Sequence, residues 1–329
     1  MSKKTLRDVC LKGKRVVMRV DFNVPIKGGV ITDDTRIKGA LQSINYVLEQ
    51  GGSLVLMSHL GRPKGKGYEA DFSLKPVAEY LAKMLGKPVT FAADCANADA
   101  EVAALQPGGI VMLENTRFYK EEEGKVKKTD EMTEEEYKEK KAALKEKQKA
   151  LAQKLATYGD IYCNDAFGSA HRAHASTAVI CKYIKESVSG FLMEKEIQYL
   201  GNAVENPSRP FVAILGGAKV SDKLAVVNNL LDKVDTLIIG GGMAYTFLKA
   251  MGHDVGNSLC EVDQLQYAND MIAKAKANNK SLLLPVDNIA ADKFDAEANT
   301  QVVGNDIPAG WMALDIGPKT TALYASAIK

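Results

Sequence analysis

The sequence predicts an α/β fold of two doubly wound, Rossmann-like parallel-sheet domains. Three observations predict it. Short apolar runs alternate with amphipathic stretches of helical length, the pattern of repeated βαβ units. The alternation restarts after Arg209-Pro210, so there are two series. And 329 residues are too many for one ordinary hydrophobic core.

In chain order, Arg15–Val20 reads as the first strand and residues 36–50 as the helix after it, ended by Gly51-Gly52. Ser53–Met57 is the next strand, followed by a helix over 73–85. Pro107-Gly108-Gly109 leads into the strand Ile110–Leu113. Residues 134–157 are rich in Lys, Glu, Ala and Gln; their charge reads as a solvated helix face with no chemistry. Tyr158-Gly159-Asp160 precedes a strand at 161–163. The second series has strands at 211–215, 236–239 and 281–284, with helices over 221–231, 244–251 and 262–277 between and around them. Residues 190–206 read as one amphipathic helix that joins the two series and can carry a hinge. The expected domains are therefore 1–187 and 207–329, with 188–206 connecting them.

Composition narrows the function classes. A 46% hydrophobic and 26% charged chain is an ordinary soluble globular protein. A net charge of +2 implies no acidic tail and no surface basic enough for nucleic acid. Cys10, Cys95, Cys163, Cys181 and Cys260 are odd in number and form no Cys-x-x-Cys pair, which reads as reduced thiols in the cytoplasm. Cys163 reads as a small buried strand residue. The N-terminus has no apolar signal segment, and no stretch approaches a membrane span.

The chemistry sits at strand ends. Asp21 and Asn23 follow the first strand, where they either accept hydrogen bonds from substrate hydroxyls or close an Asx turn stiffened by Pro25. Arg36 lies at the start of the helix that follows. Ser58-His59-Leu60-Gly61-Arg62-Pro63 follows the second strand; His59 and Arg62 can share one anion, while a lone His is as readily structural. Arg117, after the third strand, is an anion clamp or a surface ion pair. His171-Arg172-Ala173-His174, after the fourth, favours an anion over a metal, because His-x-x-His has no carboxylate or Cys companion there. Four such motifs after four successive strands are a stronger signal than any one, since open α/β sheets bind ligands at the carboxyl ends of strands. Guanidinium forks suit carboxylate or phosphate, so a small organic phosphate or carboxylate is the expected substrate.

In the second half, Gly216-Gly217-Ala218-Lys219 opens a helix whose N-terminus can take a phosphate. Lys219 and Lys223, four apart, would then share a helical face, unless they are simply two solvated lysines. Gly240-Gly241-Gly242 either lets a flat ring such as adenine approach or is a flexible turn. Leu314 either packs on that ring or belongs to the core. A nicotinamide-dependent oxidoreductase is disfavoured, because no Gly-x-Gly-x-x-Gly follows the first strand.

Taken together, Val20-Asp21-Phe22-Asn23-Val24-Pro25, Asp34-Thr35-Arg36-Ile37, Ser58 to Pro63, Leu113-Glu114-Asn115-Thr116-Arg117-Phe118, Asn164-Asp165-Ala166-Phe167-Gly168 with His171-Arg172-Ala173-His174, Gly190-Phe191-Leu192-Met193 and Ile214 to Val220 resemble the phosphoglycerate kinases along essentially the whole chain. The resemblance implies two α/β lobes around a hinged cleft. It implies reversible phosphoryl transfer between 1,3-bisphosphoglycerate and ADP, giving 3-phosphoglycerate and ATP, with Mg2+ on the nucleotide, in a cytoplasmic monomer without nucleic-acid or membrane partners. By matching motif, Asp21, Asn23, Arg36, His59, Arg62, Arg117 and Arg172 hold 3-phosphoglycerate, with His171 near. Arg36 and Lys219 act on the transferring group, and Lys223 touches nucleotide phosphate. Gly216, Gly217, Gly240, Gly241 and Leu314 line the adenine and ribose site.

The chain departs from that family in two ways. The family continues beyond the position of Lys329 with an Asn-Gly-Pro segment and a Gly-Gly-Gly-Asp stretch whose Asp binds magnesium; neither occurs after Trp311. Expected from this are an incomplete second domain with an uncovered sheet edge, no metal ligand in this chain, and binding of 3-phosphoglycerate with weak or no turnover. The alternative is a non-catalytic 3-phosphoglycerate-binding fragment. The region 121–154 is also longer and richer in Lys and Glu than the family's, as a surface insertion would be.

Overall fold

The computed structural model describes residues 3–329. The chain divides into two compact units, Met1–Gly201 and Asn202–Lys329.

The first unit runs β1 (Arg15–Val20), β2 (Ile26–Lys27), β3 (Val30–Ile31), α1 (Thr35–Glu49), β4 (Ser53–Met57), α2 (Lys75–Leu85), β5 (Thr90–Ala92), α3 (Asp99–Ala103), β6 (Ile110–Leu113), α4 (Lys120–Glu123), α5 (Glu134–Ala156), β7 (Ile161–Asp165), α6 (Phe167–Ala170) and β8 (Glu186–Ser189), into α7 (Phe191–Glu205). Its main sheet has the order β5-β6-β4-β1-β7-β8, and every pairing in it is parallel. The chain winds outward from β1 to one side through β4, β5 and β6, then returns to the other side with β7 and β8. That reversal beside β1 is the topological switch point where such sheets open a crevice.

The strand sequences are almost wholly apolar because both faces of the sheet are covered. Val16, Met18 and Val20 enter one core with Ile37, Ile44 and Val47 of α1 and Val77 and Leu81 of α2. Val17, between them, enters the other core with Leu151, Ala152 and Leu155 of α5 and Val102 of α3. The two-residue period of the strand makes this division. Cys163 is fully buried in β7, as expected. Helix α5 starts with a reciprocal cap in which Thr133 Oγ1 accepts from Glu136 N–H, and Glu136 accepts from Thr133 N–H. Its first three turns are mostly exposed, and its second half packs on the sheet.

Strand edges from sequence fall within two residues of the observed ones. The short strands β5 and β8 were not expected. Val188 and Phe191 are buried in the first unit's core, so the start of the expected connecting segment 188–206 belongs to that unit. The division at Gly201 falls inside α7.

The second unit runs β9 (Val212–Gly216), α8 (Leu224–Leu231), β10 (Thr236–Gly240), α9 (Met243–Ala250), α10 (Leu265–Ala277), β11 (Ser281–Leu283), β12 (Asn288–Ala291), β13 (Thr300–Val303), β14 (Met312–Ile316) and α11 (Pro318–Ile328). A parallel three-stranded sheet, β11-β10-β9, packs under α8, α9 and α10 through Val227, Leu231, Phe247, Ala268 and Met271. β9 is at its margin, and Ile214 there is 63% exposed. A second sheet, β13-β12-β14, is antiparallel. Nothing in the sequence signalled it: Asn288-Ile289-Ala290-Ala291 is short and lacks polar alternation.

Candidate functional site

The carboxyl ends of β1, β4 and β6, with the segment after β7, surround one cavity of about 1360 Å³ in the first unit. Asp21 and Asn23 come from the end of β1, His59 and Arg62 from the end of β4, Arg117 from the turn after β6, and Arg172 from the segment after α6. Arg36, at the first turn of α1, completes the ring.

These groups are bound to one another. Arg36 Nη1 donates to Asp21 Oδ2 at 2.6 Å, which aims a half-exposed guanidinium at the cavity. Gly61 is the central link. Its N–H donates to Asn23 Oδ1 at 2.8 Å, and its carbonyl accepts from Arg117 Nη1 at 2.9 Å. Its φ of +60° is left-handed, and a Cβ there would stand 2.4 Å from the Phe72 ring, so only glycine fits. Arg117 Nε lies 3.2 Å from Glu123 Oε1. Burial is the main influence on Arg117 and weakens its hold on the proton. Arg62 is exposed at the cavity mouth.

Beneath the cavity is a buried polar layer. Arg19, in β1, is fully buried. Its Nε donates to Ser176 Oγ at 2.9 Å, its Nη1 to the Val20 carbonyl, and its Nη2 meets His59 Nδ1 at 2.9 Å. Ser176 Oγ donates to Glu122 Oε1 at 2.5 Å, and Ser176 N–H to Oε2 at 3.0 Å. Glu122 is fully buried as well. Burial opposes its charge, but His174, Arg19 and Ser176 outweigh it and hold the carboxyl below its usual range. Burial, then the charges of Arg19 and Arg117, push His59 down to about 2, so its ring is neutral at any physiological pH.

The two histidines around Arg172 turn to different surroundings. His171 is exposed and is not part of the cavity wall. His174 is buried, with Nδ1 3.7 Å from Glu122 Oε1 and no hydrogen bond at either ring nitrogen. Among the described residues, no group of three or more His, Cys, Asp or Glu is placed to hold a metal ion.

In the second unit the glycines meet at adjacent strand ends. Gly216 and Gly240 pair across β9 and β10. Gly241, at φ +65°, would place a Cβ 3.1 Å from both N and O of Gly217, so the two turns touch backbone to backbone. The Lys223 amine lies beside Gly217, 2.8 Å from where a Cβ would be. The expected shared helical face of Lys219 and Lys223 is not formed. Lys219 precedes a single 3-10 turn, Ser221–Lys223, and α8 starts only at Leu224, so the two lysines are not on one continuous helix. Glu261 accepts from both N–H and Oγ of Ser221, at 3.0 and 2.6 Å. Leu314 is not core. It is the residue skipped in the pairing of β12 with β14, where Ile289 faces Asp315 and Ala290 faces Ala313, and it is 43% exposed. Bulges of this kind re-aim a side chain.

Comparison with known proteins fits this arrangement. The phosphoglycerate kinase family model matches residues 6–329. The chain belongs to the phosphoglycerate kinase family. It is 52% identical over 333 residues to the phosphoglycerate kinase of Clostridium botulinum (strain Alaska E43 / Type E3), covering all of this chain and 78% of that relative. The structure of phosphoglycerate kinase from Coxiella burnetii superposes with a TM-score of 0.80 at 40% identity, covering 99% of this chain and 77% of that one. Phosphoglycerate kinase from Pyrococcus horikoshii OT3 gives 0.75 at 28% identity, covering 99% and 78%. The chain is accordingly a kinase, a phosphotransferase with a nucleotide substrate.

Seven of the eight residues expected on the acid side of this kinase line one cavity; His171 does not. Two sets of residues went unrecognised in the sequence. Lys140 and Lys147 of α5, a helix read as having no chemistry, face the same cavity with Lys125 and Lys127. The layer of Arg19, Glu122 and Ser176 was also missed. Arg19 carried a signal, because an arginine inside the apolar run Val16-Val17-Met18-Arg19-Val20 must be buried and paired.

Proposed function

We propose that the first unit binds 3-phosphoglycerate in the cavity at its strand ends and that the second unit binds ADP or ATP at the Gly216-Gly217 and Gly240-Gly241 turns. The observation that carries this is the meeting of Arg36, His59, Arg62, Arg117 and Arg172 around one hollow. Several planar donors converging on one space suit a ligand that has both a carboxylate and a phosphate. Asp21 and Asn23 supply the acceptors and the turn geometry for its hydroxyl end.

In the proposed reaction the 3-phosphoglycerate carboxylate attacks the terminal phosphorus of ATP. An acyl O–P bond forms, the bridging P–O bond breaks, and ADP leaves; the reverse reaction makes ATP. No side-chain nucleophile takes part, so the protein's work is positioning and charge neutralisation. Arg36 and Lys219 neutralise the group in transfer, Lys223 steadies nucleotide phosphate, and Leu314 meets the base. Helix α7 is the proposed hinge element. Magnesium belongs with the nucleotide. Among the described residues no group of three or more His, Cys, Asp or Glu is placed to hold it.

Calorimetric titration tests the reading directly. The chain is expected to bind 3-phosphoglycerate, and Arg62→Ala to weaken it roughly tenfold to a hundredfold, the loss of a hydrogen bond to a charged partner. No binding by the unaltered chain, or an unchanged affinity in Arg62→Ala together with Arg117→Ala, would overturn it.

A further inference from the structure

We infer that Arg19 is a positioning residue that fixes His59 as the tautomer carrying its proton on Nε2. A guanidinium has five donors and no acceptor. At 2.9 Å from Arg19 Nη2, His59 Nδ1 must therefore accept, and the ring proton must sit on Nε2. His59 lines the cavity, so Nε2–H is the ring group left for a ligand. The result is a neutral, directional donor among the cationic groups Arg36, Arg62, Arg117 and Arg172. The ring's low basicity accords with this, since a second positive charge beside Arg19 is unfavourable.

The geometry of Arg19 is itself determined. Three of its nitrogens are used, on Ser176, the Val20 carbonyl and His59. Glu122 balances its charge through Ser176, which bridges the two side chains. The Arg19–Ser176–Glu122 chain ties β1 to α4 and to the segment 175–179, and Arg19 holds the imidazole at its Nδ1 edge. The inference rests on the reading of the cavity as the 3-phosphoglycerate site. Its primary test needs no ligand.

That test is a long-range 1H–15N correlation spectrum of the imidazoles of the full chain, with the His59 signals assigned by their loss in His59→Gln. His59 is expected as a single Nε2–H tautomer that does not titrate between pH 5 and 8, because burial and the nearby charges of Arg19, Arg117, His174 and Arg36 all oppose a proton on the ring. A proton on Nδ1, or titration in that range, overturns the inference. Arg19→Met combined with Glu122→Gln removes both buried charges together, so that neither is left unpaired. This variant is expected to show mixed tautomers and about tenfold weaker 3-phosphoglycerate binding, one charge-directed hydrogen bond lost. A folded double variant with the unaltered His59 spectrum overturns the inference. Should that variant not fold, side-chain replacement decides. The Gln amide nitrogen takes the place of Nε2 and that of Asn the place of Nδ1, so His59→Gln is expected to keep affinity within a few-fold and His59→Asn to lose tenfold or more. The opposite order overturns it. Failure of the unaltered chain to bind 3-phosphoglycerate sinks the site reading and leaves the tautomer result standing.

Discussion

His59 sets a pH dependence that can be worked out by sign. Its folded form takes up a proton only near pH 2, against an ordinary value of 6.5. Below pH 6.5 the unfolded chain therefore binds a proton that the folded chain refuses. Stability attributable to His59 is full above pH 6.5 and falls as pH drops toward 2, approaching about 1.4 kcal/mol per pH unit. Denaturant unfolding between pH 6.5 and 5 reads this above the range where carboxylates such as Glu122 take up protons. The slope is expected to be shallower in His59→Gln; equal slopes would show that His59 is free to charge. Also at the residue scale, Lys219→Ala is expected to reduce single-turnover phosphoryl transfer by about a hundredfold or more while leaving 3-phosphoglycerate affinity within about twofold, the pattern of the proposed donor to transition-state charge. The opposite pattern would move Lys219 to the binding of the acid.

At the element scale, the turn after β4 and the cap of α5 carry the site. Gly61→Ala must force a Cβ into the Phe72 ring and hold alanine at φ +60°. The expected cost is about 1–3 kcal/mol of stability. Because Gly61 is also the acceptor for Arg117 and the donor to Asn23, 3-phosphoglycerate binding should weaken in parallel, by calorimetry on the folded fraction. Thr133→Ala removes the side-chain half of the reciprocal cap on α5, leaving the backbone N–H that donates to Glu136, and is expected to cost about 1 kcal/mol, read as faster hydrogen exchange in the first turns of the helix. Full protection there would mean that packing of the second half holds the whole helix.

For the whole molecule, the division into units makes ligand effects separable. A ligand that binds only the folded first unit stabilises it by RT ln(1 + [L]/Kd), about 2.7 kcal/mol at a hundredfold excess over Kd. With 3-phosphoglycerate, slowed exchange is expected within Met1–Gly201, strongest at the segments after β4, β6 and β7, with Asn202–Lys329 little changed. Protection confined to the second unit would reverse the assignment. No helix among the described residues is long and apolar enough to cross a membrane.

By itself the sequence determined the parallel strands and the residues after them. An apolar run buried on both faces and a polar turn at its end are local properties, readable without knowing the neighbours. That is why Asp21, Asn23, His59, Arg62, Arg117 and Arg172 stood out as strand-end candidates, while their assignment to one ligand, with Arg36, came from the resemblance to the phosphoglycerate kinases. Only the tertiary structure decided what lies beneath and beside them. Arg19, Ser176 and Glu122 are distant in the chain and are brought together by the order of β1 and the segments after β6 and β7. Lys140 and Lys147 read as solvated until α5 was packed against the sheet. The antiparallel β12, β13 and β14 have too few residues for a period to emerge. Lys219 and Lys223 do not share a helical face because the segment opens with the 3-10 turn Ser221–Lys223 before α8, and its Ser221 is bound to Glu261, forty residues away in sequence. Burial and pairing between remote segments are non-local, and a reading by spacing along the chain cannot contain them.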